Sequence, residues 1–305
     1  MNKRITITVG TKDRPTELFG LALSLRNNTY KDWDLIIVDD ASGTSIENYY
    51  FLNVIFNRLR LEGHQVRLVR NNISSGIAPM RNQSARLALE FFPKNGLIMR
   101  IDDDTVAEPD FLQKLVDVID DGYDLASGIT PPMSGPDWVR QTKHIEPIVN
   151  RVVLDELGVF LLNSDDCGMQ YDEEKILPCH HFRSTALYKT EVHTKYDVWY
   201  ETNLTMSGMR EEEFFSFRCI LAGLKLGVHL GANHWHLQTP SGGHRGVQAD
   251  RHLQNQKILN RWVKKKVSEH GNFIDAYNKK LSIDDEHNKW SNFNKSTNFI
   301  MTKEE

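Results

Sequence analysis

Leu97-Ile98-Met99-Arg100-Ile101-Asp102-Asp103-Asp104 reads as an apolar strand running into three consecutive carboxylates. Adjacent carboxylates repel one another unless protons or a cation neutralise them. Oxygen ligands at a strand end suit Mg2+ or Mn2+, ions that bridge two phosphates of a nucleotide. A solvated acidic turn ahead of a helix near Pro109 is the simpler alternative, and the flanking segments weigh against it.

Upstream, Val66 to Val69 reads as a strand and Met80 to Phe92 as a helix. The same pattern stands earlier. The β-branched run Ile5 to Val9 ends at Gly10, helix-like residues Thr16 to Arg26 follow, and the apolar run Leu35 to Val38 ends at Asp39 and Asp40. Repeated β-α-β units predict an α/β fold with a mixed, mainly parallel sheet flanked by helices. Polar groups follow the carboxyl ends of these strands, the edge where open parallel sheets bind ligands, so separate stretches of sequence are expected at one cleft.

Downstream, a helix from about Asp110 to Ile119 leads to a short strand near Asp124 to Ser127. Pro131, Pro132, Pro136, Trp138 and Trp199 then mark an irregular stretch of loops and strands. This divides a first half, residues 1–127, from a second half, residues 128–246. Within the second half a helix is expected from Arg210 to about Ala222, stopped by Gly223, followed by a strand-like run from Leu226 to Leu230. From Val247 to Leu281 the pattern is mostly helical, giving a helical tail over residues 247–305.

The bulk properties fit one large α/β domain. A chain of 305 residues, 40% hydrophobic and 26% charged, can bury a sizeable core. Its 37 Lys and Arg against 41 Asp and Glu give a net charge of −4, which excludes a global basic field for nucleic acid. Cys167, Cys179 and Cys219 lack the paired spacing of a zinc or redox motif and read as reduced thiols. Met1 leads through Lys3 and Arg4 straight into a strand pattern, leaving no room for a signal peptide. No run approaches the roughly 18 apolar residues of a membrane helix, so no transmembrane segment is expected. A cytoplasmic protein is the expectation, with peripheral membrane attachment left open.

Four segments taken together carry a resemblance: Thr11-Lys12-Asp13-Arg14-Pro15, Ile36-Ile37-Val38-Asp39-Asp40-Ala41-Ser42, Gly76-Ile77-Ala78-Pro79-Met80-Arg81-Asn82 and the Asp102 to Asp104 cluster. In this order and spacing the chain resembles the nucleotide-sugar half of GT-A fold glycosyltransferases, particularly the large family 2. The resemblance covers most of residues 4–245. It implies a GT-A-like fold, a nucleotide diphosphate sugar as donor and an Asp-x-Asp motif for Mn2+ or Mg2+. It also implies that Thr11 and Asp40 contact the nucleobase, usually uracil, and that Arg81 approaches the base or phosphates. Asp13, Arg14, Asp39, Gly76, Asp102 and Asp103 fall in the same donor-binding segments. For Asp40 the chemistry agrees, because a carboxylate accepts a base N–H and discriminates against a base lacking it.

The second half contributes Met209-Arg210-Glu211-Glu212-Glu213-Phe214-Phe215-Ser216-Phe217-Arg218. Phe214, Phe217 and Leu221 recur at helical spacing, which puts the glutamates in the first turn near the positive end of the helix dipole. In the family a Glu-Asp pair stands here with an Arg following, and the Asp is the general base. Glu211-Glu212 and Arg218 match that spacing, so Glu212 is the expected base, with Glu211 and Glu213 as alternatives. His234 and His236, two apart on an extended strand, face one side. Family members often supply a histidine here as a metal ligand beside Asp104 and Asp102, and His236 is favoured over His234. Arg245, after Gly242-Gly243, is a candidate for the diphosphate. Trp138, His181, Arg183 and Trp199 are candidates for an acceptor pocket, or equally for the core. Lys264-Lys265-Lys266 reads as a solvated face, or a contact with nucleic acid or anionic lipid.

The sequence therefore predicts a metal-dependent, inverting glycosyltransferase, with a UDP sugar favoured and the acceptor open among glycan, lipid, protein, small molecule and modified nucleobase. The competing readings are a nucleotidyl- or pyrophosphate-handling enzyme on a similar sheet and a nucleotide-sugar-binding module without turnover. The first of these would need a Lys-rich triphosphate loop, and no Walker-type glycine loop is present.

Overall fold

The computed structural model describes residues 2–133, 150–155, 158–162, 174–206, 208–244 and 248–283. The two expected β-α-β units are present. β1 (Ile5–Thr11), α1 (Pro15–Asn27) and β2 (Trp33–Asp39) form the first; β3 (Val66–Arg70), α3 (Ile77–Phe91) and β4 (Leu97–Asp102) form the second. Between them lies α2 (Tyr50–Leu61), a helix the sequence reading does not name, although Leu52, Ile55, Phe56 and Leu59 have helical spacing and are buried. The chain continues through β5 (Thr105–Ala107), α4 (Phe111–Asp120), β6 (Leu125–Ile129), β7 (Arg151–Asp155), β8 (Gly158–Leu162), β9 (Ile176–Pro178), β10 (Thr185–Lys189) and α5 (Glu191–Thr194). It ends with α6 (Glu211–Leu221), β11 (Leu226–His236), α7 (Gln248–His270) and α8 (Phe273–Lys280).

Among the described residues, one sheet runs in the order β3-β2-β1-β4-β10-β6-β11-β5, with β9 also pairing along β11. β3, β2, β1 and β4 are parallel, and β10 inserts antiparallel between β4 and β6. Side-chain alternation along the strands separates two apolar layers. Ile5, Ile7, Val9, Leu35 and Ile37 pack with α1, α2 and α4 on one face, and Ile36, Val38 and Ile98 pack with α3 and α6 on the other. Each fully buried Leu, Ile or Phe in these layers is worth about 1.5–3 kcal/mol of transfer free energy. Leu259 and Val263 of α7 and Phe273, Ile274 and Tyr277 of α8 belong to the same cluster as Phe214 and Phe217 of α6, so the tail helices complete that core.

Two details position the site. Gly10 faces Met80, and a Cβ there would run into the Met80 thioether, so the missing side chain lets α3 lie close over the end of β1. The strand expected to stop at Leu230 runs on to His236 through a register shift between Val228 and Asn233, which carries His234 and His236 across to pair with β5. No helix among the described residues is long and apolar enough to cross a membrane.

Candidate functional site

The parallel register explains why distant motifs meet. β1 lies between β2 and β4, with Thr11 opposite Asp39 and Gly10 opposite Asp102. A cavity of about 420 Å³ opens at this edge. Its walls include Thr11, Arg14 and Asp102 to Asp104 on the sheet side, Arg81 from α3, Glu211 and Glu212 from α6, and His236 from β11.

The three aspartates differ in environment. Asp103 is buried, and its carboxylate accepts from Thr11 Oγ1 at 2.7 Å and Arg14 Nη1 at 3.0 Å. Burial raises its pKa, Arg14 opposes that and Asp104 adds to it, leaving it pushed up to about 7. Asp104 has one oxygen 2.9 Å from Arg14 Nη1 and the other 3.3 Å from His236 Nε2. Asp102 is the most open of the three, and its Oδ1 lies 3.2 Å from Arg81 Nη2 and 3.3 Å from Arg100 Nη1. Arg14 also donates from Nε to Ser241 O at 3.1 Å, and its side chain packs against Gly242 and Gly243, where Cβ atoms would collide with it.

The glutamates opening α6 also separate. Glu211 is buried against Arg81, Oε1 to Nη1 2.5 Å. Its carboxyl is pushed upward chiefly by burial; Arg81 opposes this, while the adjacent Glu212 adds to it. Glu212 is partly exposed, with Oε1 3.0 Å from Arg81 Nη2 and 3.1 Å from Arg100 Nη1. Glu213 is not among the residues that line the cavity; it pairs with Arg210 at 2.9 Å and lies 3.8 Å from Arg183, which does line it. The chain enters α6 through Met209 and Arg210, both at positive φ, 65° and 75°, a conformation that non-glycine residues adopt at some energetic expense.

The donor set fits a hard divalent cation in part. A carboxylate oxygen of Asp104, a ligand type that suits Mn2+ or Mg2+, and an imidazole nitrogen of His236 face each other at the cavity wall. Among the described residues no group of three or more His, Cys, Asp or Glu closes around one point. A cation held there would therefore draw its remaining ligands from water or a bound phosphate.

A family model for glycosyl transferase family 2 matches residues 6–197. The chain belongs to that family. It is a glycosyltransferase, and its mixed α/β architecture matches GT-A structures. A comparison with curated proteins gives no match. Among solved structures, S. aureus TarS 1-349 in complex with UDP-GlcNAc aligns with a TM-score of 0.56 at 15% identity, over 85% of this chain and 65% of that one. GalNAc-T7 with UDP, GalNAc and Mn2+ aligns with a TM-score of 0.64 at 13% identity, over 94% of this chain and 58% of that one. A further S. aureus TarS structure aligns with a TM-score of 0.53 at 15% identity, over 79% of this chain, which spans only 37% of that longer chain.

The remaining candidates of this glycosyltransferase lie as follows. Asp40 is fully buried, and both oxygens are engaged, by Asn71 Nδ2 at 2.7 Å, Ser74 Oγ at 2.8 Å and the Ser75 amide at 3.0 Å. Burial raises its pKa, but these bonds outweigh burial and lower it. His244 Nε2 also lies 3.2 Å from Asp40 Oδ2. Asp39 holds its own loop, accepting from the Ser42 amide and Arg70, and Asp13 accepts from the Gly43 amide. Gly76 stands at φ 88° at the start of α3, with its amide directed at Asp40. His234 is buried, bonded to Thr130 and Thr185, and burial lowers its pKa to about 3, so of the two histidines only His236 reaches the cavity. Of the acceptor candidates, Arg183 lines the cavity; His181 is buried, and Trp199 stacks on His193 beneath Arg86, both outside the lining. Trp138 and Arg245 lie outside the described residues. The sequence reading names neither Arg100 nor His244 as a site residue. Arg100 had a signal, a lone charge in an apolar strand, whereas nothing local marks His244.

Proposed function

We propose that this glycosyltransferase moves a sugar from a uridine diphosphate sugar to an acceptor hydroxyl, with inversion at the anomeric carbon. The observation that carries the proposal is the cavity, which is lined by Arg14, the three aspartates, Glu211 and Glu212. The UDP-GlcNAc complex of TarS and the UDP and Mn2+ complex of GalNAc-T7 support a nucleotide-sugar donor and a divalent cation. Asp104 and His236 would hold Mn2+ or Mg2+, with Asp102 beside them. Bound there, the ion neutralises charge on the leaving diphosphate.

The protein's own groups account for the rest. Thr11 and Asp40 bind the uracil; because His244 lies against Asp40, it gives way when the base enters. Arg14 supplies a cation beside the diphosphate. Glu212 takes the acceptor proton while the hydroxyl oxygen attacks the anomeric carbon opposite the departing phosphate. Only contacts that strengthen as that bond breaks accelerate the step. Calorimetric titration of UDP, GDP and dTDP in the presence of Mn2+ tests the donor. UDP should bind tightest, and a clear preference for GDP would overturn the assignment.

A further inference from the structure

Arg100 stands in the middle of β4 among Ile98, Met99 and Ile101, all buried, and its own side chain is only 5% exposed. Taking a guanidinium out of water costs several kcal/mol, and a well-packed apolar residue in its place is often as stable. Stability alone therefore gives little reason for an arginine here. The sheet nevertheless accommodates it: its in-register neighbours on the same face are Thr8 of β1 and Ala186 of β10, both small.

Its ion pairs converge on two oxygens. Nη1 lies 3.1 Å from Glu212 Oε1 and 3.3 Å from Asp102 Oδ1. Arg81 Nη2 reaches the same two oxygens from α3, at 3.0 and 3.2 Å. The two arginines are not equivalent. Arg81 comes from a helix and also serves Glu211, whereas Arg100 comes from the strand that carries Asp102. The backbone of β4 thereby ties the Arg100 guanidinium to the aspartate end of the cavity.

We infer that Arg100, which lines the same cavity, is a positioning residue for the transfer reaction, fixing the Glu212 carboxylate relative to the aspartate end of β4. This rests on the reading that Glu212 takes the acceptor proton. A carboxylate displaced by about 1 Å can lower a rate about 10²-fold even when binding is intact.

The test follows UDP release from UDP-glucose, UDP-galactose, UDP-GlcNAc and UDP-GalNAc with Mn2+. It compares the parent with Arg100→Met, Arg100→Lys, Glu212→Gln and the Arg100→Met/Glu212→Gln double variant. Arg100→Met should lower kcat roughly 10²-fold while the donor KM stays within about threefold. Arg100→Lys should recover part of the rate, and the double variant should be no slower than Glu212→Gln alone. Parental kcat in Arg100→Met, or fully additive losses in the double variant, would overturn the inference. A Glu212→Gln variant at parental kcat would sink the base assignment instead, so the two failures are distinguishable. If all four sugars are inert, crystal structures of the Arg100 variants decide. The Glu212 carboxylate should leave its place beside Arg81 in Arg100→Met and keep it in Arg100→Lys; an unmoved Glu212 in Arg100→Met overturns the inference.

Discussion

Replacing Glu213 by Gln isolates the one glutamate of the acidic helix start that does not line the cavity. Glu213 is 1% exposed, and its carboxylate lies 2.9 Å from Arg210 and 3.8 Å from Arg183. Burial raises its pKa, but Arg210, Arg183 and His181 outweigh burial and lower it to about 2, against an ordinary 4.5. At about 1.4 kcal/mol per pH unit, that interval corresponds to roughly 3 kcal/mol of stability at neutral pH. The sign follows from the depressed value: between about 2 and 4.5 the unfolded chain binds the extra proton. The contribution is therefore complete above pH 4.5 and disappears as pH falls toward 2. Urea denaturation of parent and Glu213→Gln between pH 7 and pH 3 should show the variant less stable by about 3 kcal/mol at pH 7. The gap should narrow steadily below pH 4.5. Donor turnover at pH 7 should stay close to parental, since the lost charge lies outside the cavity. A gap that does not change with pH, or no gap, would refute the account of Glu213 as an anchor held by its cations.

Glu212→Gln keeps shape but removes the proton acceptor, so kcat for transfer should fall roughly 10²- to 10⁴-fold with donor affinity barely changed. Glu211→Gln should retain more activity, and the reverse ranking would assign the base to Glu211. Asp104→Asn should abolish most of the Mn2+-dependent gain in UDP affinity measured by calorimetry; unchanged binding would remove Asp104 from the cation site. Gly128→Ala would drive a Cβ into the Ala232 carbonyl oxygen and the Phe111 ring, so thermal unfolding should show a loss of about 2–4 kcal/mol. Gly20→Ala in α1, where nothing lies within 4 Å, should be neutral or stabilising by up to about 1 kcal/mol, and equal losses at the two glycines would refute the packing argument.

The sequence by itself determined the sheet edge that lines the cavity. Short-range periodicity defines β1, α1, β2 and β4, and parallel pairing then brings Thr11, Asp39 and Asp102 to one edge because each ends its strand. The amphipathic start of α6 was legible for the same local reason. Tertiary structure alone decided what each of several like residues contacts. Asp102, Asp103 and Asp104 are chemically identical in sequence, yet Asp103 is bound to Thr11, Asp102 faces two arginines and Asp104 faces His236. Glu212 and Glu213 are sorted by helix rotation, which turns one toward Arg81 and the other toward Arg210. The antiparallel insertion of β10, which supplies Ala186 beside Arg100, and the return of His244 onto Asp40 join residues far apart in the chain. Such contacts depend on which surfaces meet in the folded core, and no local spacing encodes that.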